Sequence, residues 1–130
     1  MLTFTRRMML VGALALAFIA PSLAAERVAF DQAAFDAAQA AGEPILVHVT
    51  ADWCEVCQAQ KPIVAELTAK PEFSDMKVYN VDFDAQKDVL RNFRVQFQST
   101  MIVFKGSTET GRSTGETDPA VIEALLKGAN

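Results

Sequence analysis

The chain has 130 residues, the length of one domain, and a net charge of −4 at pH 7. An acidic chain without a basic run is a poor fit to nucleic acid, whose binding needs Lys and Arg to neutralise phosphates. Two cysteines, Cys54 and Cys57, and one histidine, His48, are its only thiols and imidazole.

The first 24 residues differ from the rest. Met1 to Arg7 carry Arg6 and Arg7 and no acid, and Met8 to Ala20 form an apolar run of 13 residues. Pro21 to Ala25 then supply small residues at the −3 and −1 spacing of a cleavage site. Those regions in that order predict a secretory signal peptide over 1–24, cleaved after Ala24. The run is shorter than the roughly 20 residues of a bilayer span, and an uncleaved anchor is the alternative. Arg6-Arg7 ahead of Met8-Met9-Leu10 also resembles a twin-arginine export signal. By either export route, the general secretory or the twin-arginine one, the domain is expected outside the cytoplasm, in a bacterial periplasm. Loss of the two arginines leaves a charge of −6 on the 106 residues from Ala25 to Asn130.

Glu26 to Phe30 reads as a short edge strand. Asp31 is placed to cap a helix over Gln32 to Ala41, with Phe35 in its apolar stripe and Gly42 as the stop. Ile45 to Thr50 is β-branched and apolar on both faces, as suits a central strand covered by helices on each side. Val56, Ile63, Val64 and Leu67 recur at helical spacing as far as Ala69, with a bend expected at Pro62. Lys77 to Asp82 reads as a second core strand, Gln86 to Asn92 as a short helix and Thr100 to Lys105 as a third strand. Gly106-Ser107 turns the chain into an antiparallel edge strand over Glu109 to Ser113. Asp118-Pro119 starts a last helix that buries Val121, Ile122, Leu125 and Leu126. The order predicts an α/β fold, a central mixed sheet flanked by helices on both faces.

Thr50 to Gln58 joins the apolar strand to the second helix and holds both cysteines. A bridge between Cys54 and Cys57 closes too small a loop to constrain the unfolded chain much. Reactivity is the better reason for the pair. The first sulfur lies at a helix N-terminus, where unpaired amides and the dipole favour a thiolate. The second, one turn on and on the same face, is placed to attack a mixed disulfide formed on the first.

These residues also resemble a known family. Ile45 to Cys57 is similar to the thioredoxin active-site strand and turn, with Trp53-Cys54-Glu55-Val56-Cys57 matching Trp-Cys-x-x-Cys. Pro62 matches the kink proline of that family's active-site helix, and Thr100 to Gly106 its late Thr-hydrophobic-Phe-Lys-x-Gly strand. The resemblance covers residues 25–130 and implies a thioredoxin-like fold. It implies that Cys54 is the exposed nucleophile and Cys57 the more buried resolving thiol. It also implies that Trp53 packs beside the disulfide and shapes the docking surface.

Three departures stand out. The family's buried aspartate, six residues before the nucleophile, is replaced by His48. A neutral imidazole there is a candidate base for the Cys57 proton, and a core histidine bonded to backbone is the other reading. The strand lysine that accompanies the aspartate is matched to Val78, which removes the usual buried ion pair. The family's cis-proline before the late-strand threonine is replaced by Ser99. A non-proline cis bond costs about 2.5 to 4 kcal/mol, so the Gln98–Ser99 bond is expected trans, or cis and strained. Gln96, Gln98 and Ser99 then form a polar loop, and Trp53, Gln98, Ser99 and Thr100 are the residues expected against a bound partner. A dedicated partner suits this altered loop better than general thioredoxin substrate use.

The function expected is thiol–disulfide exchange, reducing disulfides of exported proteins, with a membrane thiol electron donor restoring the reduced state. Glu55 and Asp52 oppose a thiolate at Cys54 and argue for a reductant over an oxidant of the same fold. The protein is expected to act as a monomer without a cofactor. A copper or zinc carrier built on the two cysteines is the reading from another class, but two thiolates with His48, Met76 and Met101 fall short of a ligand set.

Overall fold

The computed structural model describes residues 25–130. The signal peptide expected over 1–24 lies outside the described residues. The elements are β1 (Arg27–Ala29), α1 (Gln32–Ala40), β2 (Pro44–Thr50), α2 (Glu55–Thr68), a 3-10 turn (Pro71–Phe73), β3 (Lys77–Asp82), α3 (Lys87–Phe93), β4 (Thr100–Lys105), β5 (Thr108–Thr114) and α4 (Pro119–Lys127). The five strands form one sheet in the order β1-β3-β2-β4-β5. β1, β3 and β2 run parallel, while β4 lies antiparallel to both β2 and β5. This is the mixed α/β sheet expected.

Strand alternation sorts the core into two layers. Ile45, Val47 and Val49 of β2 point with Tyr79, Val81, Ile102 and Phe104 towards α1 and α3, where Phe35, Ala38 and Leu90 meet them. Leu46, Val78, Met101 and Val103 face α2 and α4, meeting Val64, Leu67, Ile122 and Leu126. Because β2 is covered on both sides, its residues from Ile45 to Thr50 are all buried.

Local chemistry sets the helix ends. The Asp31 carboxylate accepts from the Ala34 amide and that of Asp118 from the Ala120 amide, so both helices start on the caps read from the sequence. Gly42 follows α1 with φ +71°, a left-handed conformation that a side chain would strain. Two packing details differ from expectation. Val121 is 47% exposed, because only Ile122 and Leu126 of α4 point squarely at the sheet. The 3-10 turn after α2 buries Phe73, extending the core where the sequence suggested only a stop at Lys70-Pro71.

Candidate active site

The β2–α2 junction is a tight turn. The Cys54 amide donates to the Ala51 carbonyl at 3.2 Å, and the Gln58 carboxamide reaches back to the Asp52 carbonyl at 3.3 Å. Cys54 is the N-cap of α2, extended in its own backbone, and its Sγ accepts from the Cys57 amide at 3.1 Å. Cys54 and Cys57 are joined as a disulfide with Cα atoms 5.2 Å apart. The pair packs on Ala51 and Phe83. Pro62 lies inside α2, where the kink was expected.

Burial of the two sulfurs differs less than the resemblance implied. Cys54 is 4% exposed and Cys57 is fully buried, so the disulfide presents only an edge of Cys54 to solvent. Trp53 stands beside it, 60% exposed, its indole N–H donating to the Asp84 carboxylate at 2.8 Å and its ring edge-on to Phe83. Its place is at the surface, not in the core. Phe97, 61% exposed, precedes β4 in the Gln96–Ser99 loop.

His48 sits under the site, fully buried on the α2 face of β2. Arg27 Nη2 lies 3.1 Å from its Nδ1, and Gln60 Oε1 lies 2.8 Å from its Nε2. An arginine only donates, so Nδ1 must accept and Nε2 must carry the proton. The Gln60 amide nitrogen then donates to the Ser99 carbonyl at 3.1 Å and the Glu116 carbonyl at 2.9 Å. Burial pushes the His48 pKa down to about 4, against the Gln60 hydrogen bond, and the Arg27 and Lys61 charges push the same way as burial. The imidazole is neutral at pH 7, as expected, but its one lone pair is taken by Arg27. Of the two readings open for His48, a base for Cys57 lacks a free lone pair in this arrangement, and the core histidine is bonded to side chains and not to backbone. Cys57 Sγ itself lies 4.0 Å from the Val49 carbonyl.

The register also corrects the residue across from His48. On β3 that residue is Asn80, not Val78, which pairs with Leu46. Asn80 Oδ1 accepts from Arg27 at 2.6 Å and from Thr50 Oγ1 at 2.8 Å. The buried cation–carboxylate pair is absent here, but a cation is still supplied, by Arg27 from the edge strand. The sequence reading missed Arg27, Asn80 and Gln60. Only Gln60 left a sign, a polar residue three after Cys57 on the helix stripe that Val64 and Leu67 continue.

The peptide bonds among the described residues are all trans, so the Gln98–Ser99 bond takes the first of the two expected forms. Ser99 has φ +60° and is buried. Its amide donates to the Val49 carbonyl at 2.9 Å, and its carbonyl also accepts from the Gly115 amide at 3.1 Å. The Thr100 hydroxyl turns to the Phe97 carbonyl and the Thr114 hydroxyl. Among the described residues, no group of three or more His, Cys, Asp and Glu side chains is arranged to hold a metal ion.

A thioredoxin family model matches residues 26–128. The chain belongs to the thioredoxin family. It is 31% identical to a thioredoxin of Aspergillus fumigatus over 84 residues, which covers 65% of this chain and 76% of that one. It is 29% identical to thioredoxin-2 of Saccharomyces cerevisiae over 92 residues, 70% of this chain and 86% of that one. The crystal structure of Trxlp from Edwardsiella tarda superposes with a TM-score of 0.76 at 44% identity, covering 78% of this chain and 98% of its own. A point mutant of Halobacterium salinarum thioredoxin, at 21% identity, has a TM-score of 0.71 over 85% of this chain and 95% of that chain, and shows the shared fold. This thioredoxin-family protein is a protein-disulfide oxidoreductase, with Cys54 and Cys57 as its redox pair.

Proposed function

We propose that this thioredoxin-like protein works outside the cytoplasm as a reductant of disulfides in exported proteins, with Cys54 attacking and Cys57 resolving. The observation that carries the roles is the N-cap position of Cys54. On reduction its sulfur keeps the Cys57 amide and the α2 N-terminus beside it, both of which favour the thiolate. Cys57 Sγ lies deeper, fully buried and facing the Val49 carbonyl, which suits the resolving role.

The Cys54 thiolate attacks one sulfur of a partner disulfide. A Cys54–partner disulfide forms, the partner's S–S bond breaks, and the second partner sulfur leaves as a thiolate that takes a proton from water. Cys57 gives its proton to water, balancing the one taken by the partner thiolate, and attacks Cys54 Sγ. The intramolecular disulfide forms and the first partner sulfur leaves reduced. Two electrons pass to the partner. A dithiol donor in the membrane returns them by the same two exchanges.

Glu55 in the first turn of α2, with Asp52 on the turn before it, supports the reducing direction. Negative charge near the N-cap sulfur opposes its thiolate, and a less stabilised reduced form gives up electrons more readily. The leader read over 1–24 supports an exported setting. The reduction potential tests the direction: a value nearer about −270 mV than about −120 mV is expected, and one near the latter makes the protein an oxidant. Cys57→Ala, expressed with its leader, should trap exported proteins through Cys54. Trapping only cytoplasmic proteins overturns the setting.

A further inference from the structure

We propose that Gln60 is a positioning residue that sets partner selection by holding Ser99 closed beside the disulfide. Arg27, which can only donate, fixes the direction of a continuous chain of hydrogen bonds through His48 Nδ1 and Nε2 to Gln60 Oε1. With its oxygen so engaged, the Gln60 carboxamide must present its nitrogen to the far side. There it spans two loops, donating to Ser99 O ahead of β4 and to Glu116 O ahead of α4. Gln60 is fully buried, so these bonds exchange with no bulk water and removing either partner is costly.

The consequence falls on Ser99. A non-glycine residue at φ +60° persists only when its surroundings hold it there. Here the surroundings are Gln60 and the Gly115 amide on its carbonyl, and the Val49 carbonyl on its amide. The same Val49 carbonyl lies 4.0 Å from Cys57 Sγ, so Ser99 is beside the redox pair. The Ser99 hydroxyl donates to the Gln98 carbonyl. Ser99 therefore turns its amide and carbonyl inward and caps the carbonyl before it. An extended partner segment laid beside the disulfide would find no Ser99 backbone group to pair with as a strand. Partners then depend more on side chains, and Trp53 and Phe97 stand large and exposed there. A disulfide presented on a folded surface suits this site better than one in an extended chain.

The inference rests on exchange at Cys54 and Cys57 but not on the direction of electron flow. Its test uses the reduced full-length protein with two oxidants, Ellman's small aromatic disulfide and an extended peptide carrying a disulfide. Gln60→Met keeps the volume and removes the bonds to both carbonyls, leaving only the Gly115 amide on that of Ser99. Gln60→Glu keeps an acceptor for His48 and, held neutral by burial, offers one O–H donor in place of the two N–H donors. In both variants the ratio of the peptide rate to the small-disulfide rate should rise by about fivefold, the worth of one freed backbone hydrogen bond. A merely structural role would lower both rates together and leave the ratio unchanged, which would overturn the proposal. Amide exchange of Ser99 in the unaltered protein needs no variant: a protected amide is expected, and one exchanging as freely as a loop amide overturns the proposal whatever the variants do. Failure of the unaltered protein on both oxidants would sink the exchange chemistry itself.

Discussion

On one face of the sheet, Phe30, Phe35, Tyr79, Phe93 and Phe104 meet ring to ring, with centroids 5.3 to 6.1 Å apart, over Val47, Val49 and Ile102. On the other, the aliphatic layer of Leu46, Val64, Met101 and Ile122 shares its strands and helix with His48, Gln60, Thr50 and Asn80. The first layer buries large apolar area and asks for few hydrogen bonds. The second buries amide and imidazole groups that cost free energy unless every one is satisfied. The redox pair sits over the second layer, because α2 carries both Cys57 and Gln60 on the side it turns to the sheet. One face supplies stability, and the other gives up some of it to hold a polar scaffold under the disulfide.

Single changes should separate the two faces, and the largest effect belongs to the sulfur. Cys54→Ser should lower exchange by more than about a thousandfold while circular dichroism shows the fold kept. Residual exchange at the level of the unaltered protein would mean that another group attacks. Phe35→Ala should do the reverse. It removes a ring that touches four others and should cost about 3 to 5 kcal/mol in urea unfolding, with the exchange rate of the folded protein little changed.

The polar face has its own signature in pH. The His48 pKa falls from 6.5 in the unfolded chain to about 4 in the folded one. Between those values the unfolded chain binds a proton that the folded one does not, so stability is present above pH 6.5 and lost as pH falls towards 4. The unaltered protein should lose about 3 kcal/mol across that window beyond what His48→Gln loses. Equal losses would show that His48 is not buried as described.

These expectations draw on different depths of legibility. The bounds of β3 and β4, Lys77–Asp82 and Thr100–Lys105, agree with the sequence reading because both strands are punctuated and β-branched. The two caps, Asp31 and Asp118, were legible for the same local reason. Val121 was misjudged because helical spacing fixes a stripe, not how wide a stripe the sheet covers. Asn80 was missed because strand register is not local, and a slip of two residues keeps the same face and the same pattern. Arg27 was missed more thoroughly. Its guanidinium reaches His48 only because β1 joins the sheet beyond β3, and no spacing in the chain announces that neighbour.

The smallest effect sharpens the rim of the site. Trp53 is the only tryptophan, so its fluorescence reports this surface alone. Asp84→Asn weakens a hydrogen bond to an exposed indole and should cost less than about 1 kcal/mol, yet shift the emission and its change on reduction. An unchanged spectrum would mean that Trp53 does not rest on Asp84 in solution.

The most direct test is of the two sulfurs themselves. The reduced protein, treated at pH 7 with less iodoacetamide than it has thiols and mapped by mass spectrometry, should carry the label on Cys54 with Cys57 nearly untouched. Equal labelling of the two, or preference for Cys57, would contradict the assignment of attack to the N-cap sulfur.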